Sequence, residues 1–240
     1  MIRMFRWKDV ITLLNPCAGF ISIVLSFRGN TYWAASAIFI AYFFDAIDGS
    51  IAKLTKTSNR FGAELDSVCD SFSFGVAPAF LVFAVFKEFR PWLGYLLGIW
   101  LIVGGLIRSA RSNLNKEGLP GYFIGLQRPI SAMMIAAMIN SSFFNHYKLF
   151  VPGSLFVAAM GFLNLTFTPY INHRQKFSRT MKGIVYAALA VTLLPSFLLG
   201  YPWEGILSLF FLYLIHPYVW IRGEEKSRLD AAILEFKKTL

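Results

Sequence analysis

The chain has 240 residues, of which 56% are hydrophobic and 15% are charged, and its mean hydropathy is +0.56. This composition excludes an ordinary soluble globular domain and predicts a polytopic membrane protein. The formal net charge of +10 does not require a nucleic-acid partner, because membrane topology accounts for it.

Eight apolar stretches follow one another along the chain, and each approaches the roughly 20 residues that a transmembrane helix needs. The predicted fold is therefore all-α, a polytopic helical bundle that forms a single membrane domain over residues 1–240. We predict about eight transmembrane helices, over residues 10–26, 32–54, 62–86, 91–107, 128–144, 149–167, 183–199 and 202–221.

Short amphipathic helices are predicted at both ends of the chain. Residues 1–9 mix apolar and basic side chains, as in an interfacial helix lying on anionic headgroups, although a frayed basic terminus fits as well. In residues 222–240, Leu229, Ile233 and Phe236 recur at helical spacing between charged residues. That pattern is typical of an amphipathic surface helix.

The basic residues predict the orientation in the membrane. If the eight predicted spans alternate in direction, one side of the membrane receives 19 of the 23 Lys and Arg residues. Positive residues accumulate in cytoplasmic loops, so this side is expected to be the cytoplasm. Both termini and the acidic helix ends are then cytoplasmic.

Four aspartates lie within 26 residues of this apolar chain. Asp45 and Asp48 are three residues apart, and Asp66 and Asp70 are four apart, so each pair shares one helical face. An ionised side chain at the centre of a membrane helix costs roughly 2.5 to 3.5 kcal/mol, which calls for protonation, a basic partner or a cation. An all-carboxylate set suits Mg²⁺, Mn²⁺ or Ca²⁺, and four aspartates can hold two such ions.

The spacing of these acids resembles the signature of the CDP-alcohol phosphotransferase family, D-x2-D-G-x2-A-R-x8-G-x3-D-x3-D. Lys53 stands where the family usually has arginine, and it offers a point charge in place of a planar fork. The positions that correspond to the signature are Asp45, Asp48, Gly49, Ala52, Lys53, Gly62, Asp66 and Asp70.

Further segments are similar to the phosphatidylserine synthase branch of that family. The similarity covers residues 11–131, which include a predicted catalytic core over residues 32–131 with the signature at 45–70. Gln127 and Arg128 depart from it, standing where the branch often has proline followed by an apolar residue. The similar segments are residues 15–19, 61–78, 108–113 and 122–126.

The resemblance implies an integral membrane transferase of phospholipid biosynthesis that acts on the cytoplasmic side. Such an enzyme moves a phosphatidyl or archaetidyl group from CDP-diacylglycerol or CDP-archaeol to L-serine, releases CMP, uses two Mg²⁺ or Mn²⁺ ions and forms a homodimer. In the family, the metal ligands correspond to Asp45, Asp48, Asp66 and Asp70, and Asp70 is also the general base. The nucleotide and diphosphate site corresponds to Gly49, Ala52, Lys53 and Gly62.

Serine would bring a carboxylate that needs a cationic partner. Arg108, Arg111 and Arg128 flank the polar stretch over residues 112–127, and each is a candidate for bidentate pairing with that carboxylate. The alternative interpretation of these arginines is the ordinary positive charge of an inner-leaflet boundary.

Other functions also fit part of the sequence. A divalent-cation or proton-coupled transporter would explain intramembrane acids, but it does not explain the fixed glycine, alanine and basic positions. An intramembrane prenyltransferase also pairs acidic motifs with Mg²⁺, but its two motifs normally lie far apart in the sequence. Within the transferase interpretation, glycerol 3-phosphate, inositol phosphate and choline remain alternative acceptors.

Overall fold

A computed structural model describes residues 7–55, 60–114, 121–171, 191–221 and 223–238. Helices account for most of these residues, and the described strands form one short antiparallel ribbon. The first half of the chain contains α1 (Trp7–Phe27), α2 (Thr31–Thr55), α3 (Arg60–Ser71), a π-helical turn (Phe72–Val76), α4 (Ala77–Phe89) and α5 (Pro91–Leu114).

The second half contains shorter helices and the two strands. Residues 191–198 are helical and are labelled α9. The other elements are β1 (Tyr122–Ile124), α6 (Arg128–Asn140), α7 (Ser142–Tyr147), α8 (Phe150–Leu165), β2 (Pro169–Ile171), α10 (Pro202–Trp220) and α11 (Gly223–Lys238).

Four helices in the described part of the chain are long and apolar enough to cross a membrane. They coincide with the first four predicted spans and cover Asp9–Phe27, Thr31–Ile51, Phe61–Phe89 and Pro91–Leu114. Large apolar side chains such as Phe20, Trp33 and Ile99 lie exposed on these helices, as is expected for surfaces that face lipid. The fold is therefore that of an integral membrane protein.

The fifth and sixth predicted spans correspond to shorter helices, whereas the eighth corresponds to the 19-residue helix α10. The span predicted over residues 128–144 is divided at Ser141, whose hydroxyl accepts a hydrogen bond from the Phe144 amide and caps the six-residue helix α7. Helix α6 has only 13 residues and α8 has 16. Residues 183–190 of the seventh predicted span lie outside the described residues, and the total of about eight spans stays a prediction.

Helix α6 occupies the centre of the bundle. Its residues from Ile130 to Ile139 are all buried, and they share one core with apolar side chains of α4 such as Leu81 and Phe86. Helix α6 also packs against α2, α8 and α10. Because α6 is surrounded by protein, its first residue, Arg128, is held at a fixed place at one end of the bundle.

The ribbon of β1 and β2 lies at that same end. Phe123 pairs with Tyr170 in an antiparallel register. After β1 the chain turns at Gly125, which has a φ of +74°, and a Cβ there would stand 2.7 Å from the Thr166 carbonyl oxygen. Only glycine fits this conformation and this close approach. The turn leads the chain from the ribbon directly into α6.

Candidate active site

Three carboxylates converge where α2 faces α3. Asp45 and Asp48 come from α2 and Asp66 comes from α3, and one oxygen of each lies within 4.8 Å of the others. Asp48 is buried and the other two are half-buried. Three carboxylates this close repel one another strongly unless a cation or a proton offsets the charge. Their all-oxygen donor set suits a hard divalent ion.

Two of the three carboxylates, Asp45 and Asp66, line a cavity of about 390 Å³. Side chains from α2, α3, α5, α6 and the ribbon form its walls, so acidic and basic groups face the same space. The lining residues are Tyr42, Asp45, Ala46, Gly49, Ser50, Asp66, Asp70, Arg108, Ser112, Phe123, Gln127, Arg128 and Pro129.

Asp70 lines this cavity but is not part of the group of three. Its Oδ1 accepts a hydrogen bond of 3.0 Å from Asn15 Nδ2, and its Oδ2 lies 3.8 Å from Arg128 Nη2. Asp70 therefore has one oxygen fixed by an amide and the other directed toward a guanidinium.

Two of the three predicted serine-binding arginines reach the cavity. Arg128 begins α6, is buried, and donates a hydrogen bond of 2.6 Å from Nη1 to Ser71 Oγ. Arg108 is also buried, and its Nε donates to the Leu126 carbonyl oxygen at 2.6 Å. Arg108 is held by a carbonyl oxygen, and Arg128 is held by Ser71 and by the nearby Asp70 carboxylate. Both guanidinium groups bring positive charge to the cavity.

Arg111 is placed differently. It is not among the described residues that line the cavity. Its Nη1 donates to the Leu165 carbonyl at 2.7 Å, and its Nη2 donates to the carbonyls of Asn164 and Ile124 at 2.9 and 3.2 Å. Arg111 thus ties the end of α8 to β1, and this geometry favours a structural role for it.

The predicted nucleotide-binding residues are only partly described. Gly49 lines the cavity. Gly62 is buried in the first turn of α3 and is not among the described residues that line the cavity. Ala52 and Lys53 belong to the last turns of α2, and their side chains lie outside the described part of the structure.

Sequence reasoning did not identify Asn15 and Gln127 as parts of the site. Asn15 is 55 residues away from Asp70 along the chain, and its one signal was its place in the segment over residues 15–19 that is similar to the family. Gln127 stood out only as a departure from the family pattern. Its Nε2 donates to the Tyr213 hydroxyl at 2.9 Å, which connects the cavity wall to α10.

Comparison with known proteins gives a consistent result. Residues 8–210 match the family model of CDP-alcohol phosphatidyltransferase. The archaetidylserine synthase of Methanothermobacter thermautotrophicus is 33% identical over 139 residues, which cover 57% of this chain and 59% of that protein. The aligned part is thus less than two thirds of that relative's length.

Two longer alignments are with proteins named CDP-diacylglycerol–serine O-phosphatidyltransferase. The protein from Methanocaldococcus jannaschii is 34% identical over 65% of this chain and 73% of its own length. The one from Helicobacter pylori strain 26695 is 25% identical over 91% of this chain and 92% of its own length.

The fold is similar to a solved structure as well. The crystal structure of Mycobacterium tuberculosis phosphatidylinositol phosphate synthase with CDP-DAG bound superposes with a TM-score of 0.53 at 23% identity. The match covers 68% of this chain and 83% of that one. At this identity the likeness establishes a shared fold.

Proposed function

This chain belongs to the CDP-alcohol phosphatidyltransferase family, and we propose that it transfers the phosphatidyl or archaetidyl group of a CDP-activated lipid to L-serine, releasing CMP. The observation that carries this proposal is the cluster of three carboxylates, two of which line the same cavity as Asp70 and Arg128. The names of several relatives support serine as the acceptor.

Asp45, Asp48 and Asp66 are the residues that would hold divalent metal. Their oxygens are close enough to share an ion, and the absence of nitrogen and sulfur donors from this group favours Mg²⁺ or Mn²⁺. A bound ion would neutralise charge on the diphosphate of the CDP-lipid. We propose two ions, with Asp70 as a ligand of the second.

Asp70 is proposed as the general base. Its Oδ2 takes the proton of the serine hydroxyl while the serine oxygen attacks the phosphorus that carries the lipid. The bond from that phosphorus to the CMP oxygen breaks, and CMP leaves with the bonding electrons. A phosphoryl centre with such a leaving group needs positioning and charge neutralisation more than covalent help from the protein.

Arg128 and Arg108 are proposed to bind the carboxylate of serine. Arg128 Nη2 lies 3.8 Å from Asp70 Oδ2, so an acceptor whose carboxylate pairs with Arg128 has its hydroxyl near the proposed base. A guanidinium can pair with a carboxylate through two parallel hydrogen bonds. Choline has no anionic group to use these cations, whereas glycerol 3-phosphate and inositol phosphate do.

The nucleotide is proposed to lie along α2, beside Gly49, with Ala52, Lys53 and Gly62 near the diphosphate. The basic residues at this end of the helices favour a cytoplasmic site and cytoplasmic termini. Serine and CMP would then remain in water while the lipid chains remain in the bilayer. We also propose that the protein forms a homodimer, as expected for this family.

The test is an acceptor panel. Purified protein in detergent is incubated with CDP-diacylglycerol or CDP-archaeol, Mn²⁺ and one acceptor at a time, and CMP release is measured. We expect release with L-serine that requires the metal. Faster CMP release with glycerol 3-phosphate or inositol phosphate than with L-serine would identify that compound as the acceptor in place of serine. Failure of every acceptor to produce CMP, with both lipids and with Mg²⁺ or Mn²⁺, would refute the transferase proposal.

A further inference from the structure

Helix α1 makes a direct polar contact with the proposed base. Asn15 is fully buried, and its Nδ2 donates a hydrogen bond of 3.0 Å to Asp70 Oδ1. Asn15 is not among the described residues that line the cavity. Among the described residues of the site, Asp70 is the one to which the Asn15 side chain donates a hydrogen bond.

A second contact fixes where Asn15 stands. The hydroxyl of Ser73, in the π-helical turn, donates a hydrogen bond of 3.0 Å to the Asn15 carbonyl oxygen. One helical turn further along α1, a Cβ added to Gly19 would lie 2.6 Å from Ser73 Oγ. The two backbones are thus in close contact. Asn15 is held by its side-chain amide, which donates to Asp70, and by its backbone carbonyl, which accepts from Ser73.

Packing alone does not explain an asparagine at this position. The Asn15 Oδ1 atom is buried and accepts no hydrogen bond from any described residue. A buried polar atom of this kind opposes folding, so an apolar side chain of similar size would suit the interior better. What the amide provides is the donor to Asp70.

The contact also determines which Asp70 oxygen remains available. With Oδ1 bound to Asn15, the carboxylate cannot rotate freely about its last bond, and Oδ2 stays on the side of Arg128. Arg128 is itself fixed by its hydrogen bond to Ser71. Asp70 Oδ2 and the Arg128 guanidinium, the proposed partner of the serine carboxylate, therefore keep a constant separation.

We infer that Asn15 is a positioning residue for the transfer reaction. It orients Asp70 so that Oδ2 meets the acceptor hydroxyl while the acceptor's anionic group lies on Arg128. This inference rests on the proposed function, in which Asp70 is the base. It assigns to α1 a part in turnover, beyond its place in the bundle.

The test compares Asn15→Leu with Ser22→Ala. Leucine has nearly the shape of asparagine but lacks the donor. Ser22 is a buried polar residue two turns along the same helix and is not among the described residues that line the cavity. We expect Asn15→Leu to lower kcat about 10- to 100-fold, as for a misplaced catalytic group, and to leave the KM for CDP-lipid within about twofold. Ser22→Ala should retain wild-type kcat.

A double-mutant cycle with Asp70→Asn separates positioning from general loss of structure. If Asn15 acts through Asp70, adding Asn15→Leu to Asp70→Asn lowers the residual kcat no further. CDP-lipid binding by the variants, measured by calorimetry, should equal that of the wild type. Additive losses, weaker CDP-lipid binding, or a kcat within about threefold of wild type would each overturn the inference.

The remaining outcomes are also decisive. If Asn15→Leu does not fold, Asn15→Ala is measured in the same way, and failure of both variants to fold would assign Asn15 a structural role only. A wild-type protein that releases no CMP with any acceptor refutes the proposed function. An active wild type with a neutral Asn15→Leu refutes only the role of Asn15.

Discussion

Replacing Arg111 by methionine distinguishes a structural arginine from a substrate-binding one. The substitution removes the hydrogen bonds to the carbonyls of Ile124, Asn164 and Leu165 but keeps most of the aliphatic side chain. Each lost hydrogen bond to a buried group costs about 1 kcal/mol or more, so the loss should total about 3 kcal/mol. For a chain of this size that corresponds to a Tm lower by roughly 6 to 12 °C.

The assay is thermal unfolding in detergent together with serine kinetics. Arg90→Met is the matched control, because Arg90 is exposed at the opposite end of α5 from Arg111, and its Tm should change little. At a temperature where Arg111→Met is folded, its KM for serine should stay within about twofold of wild type. An unchanged Tm with a serine KM raised about tenfold or more would refute the structural role and restore Arg111 as a serine ligand.

Three further substitutions test the acidic site. Asp66→Asn removes one of the three clustered carboxylates, and the Mn²⁺ concentration for half-maximal activity should rise about tenfold or more. Electron paramagnetic resonance of bound Mn²⁺ should show the same weakening of Mn²⁺ binding. Unchanged Mn²⁺ binding would contradict the metal assignment. Asp70→Asn should lower kcat about 10²- to 10⁴-fold while CDP-lipid binding persists; normal turnover would contradict its role as base. Lys53→Arg should retain activity within about threefold because the positive charge remains; a larger loss of CMP release would show that the shape of lysine is needed.

The sequence was most informative where long apolar runs and fixed spacing coincide. The first four predicted spans match described helices because each run is long enough to satisfy its own backbone in lipid. Helical spacing predicted that Asp45 shares a face with Asp48 and that Asp66 shares a face with Asp70, and all four were expected to hold metal. The structure brings Asp45, Asp48 and Asp66 within 4.8 Å of one another, and Asp70 is not part of that group. Helical periodicity determines which residues of one helix share a face, so each pair could be predicted, whereas the meeting of the two helices could not be predicted from spacing.

Contacts between distant segments left no comparable signal. Asn15 and Asp70 lie 55 residues apart, and the two strands of the ribbon are joined through the whole of α6, α7 and α8. The role of Arg111 depends on three carbonyls, and every residue except proline carries the same backbone donor and acceptor. The division of the span at residue 141 depends on a serine cap, which composition does not reveal.

The combined length of α3, the π-helical turn and α4 bears on how deep the site lies in the bilayer. Phe61–Phe89 contains 29 residues, which at 1.5 Å per residue extend about 43 Å, whereas the hydrocarbon layer is about 30 Å thick. A tilt of about 20° shortens the projection by only about 3 Å. The part of the helix that is longer than the hydrocarbon layer is assigned to the α3 end, because α3 is polar and α4 is almost wholly apolar. On this arithmetic Asp66 would lie among the lipid headgroups and Asp70 near the edge of the hydrocarbon layer, the depth expected for the diphosphate of an embedded nucleotide-lipid.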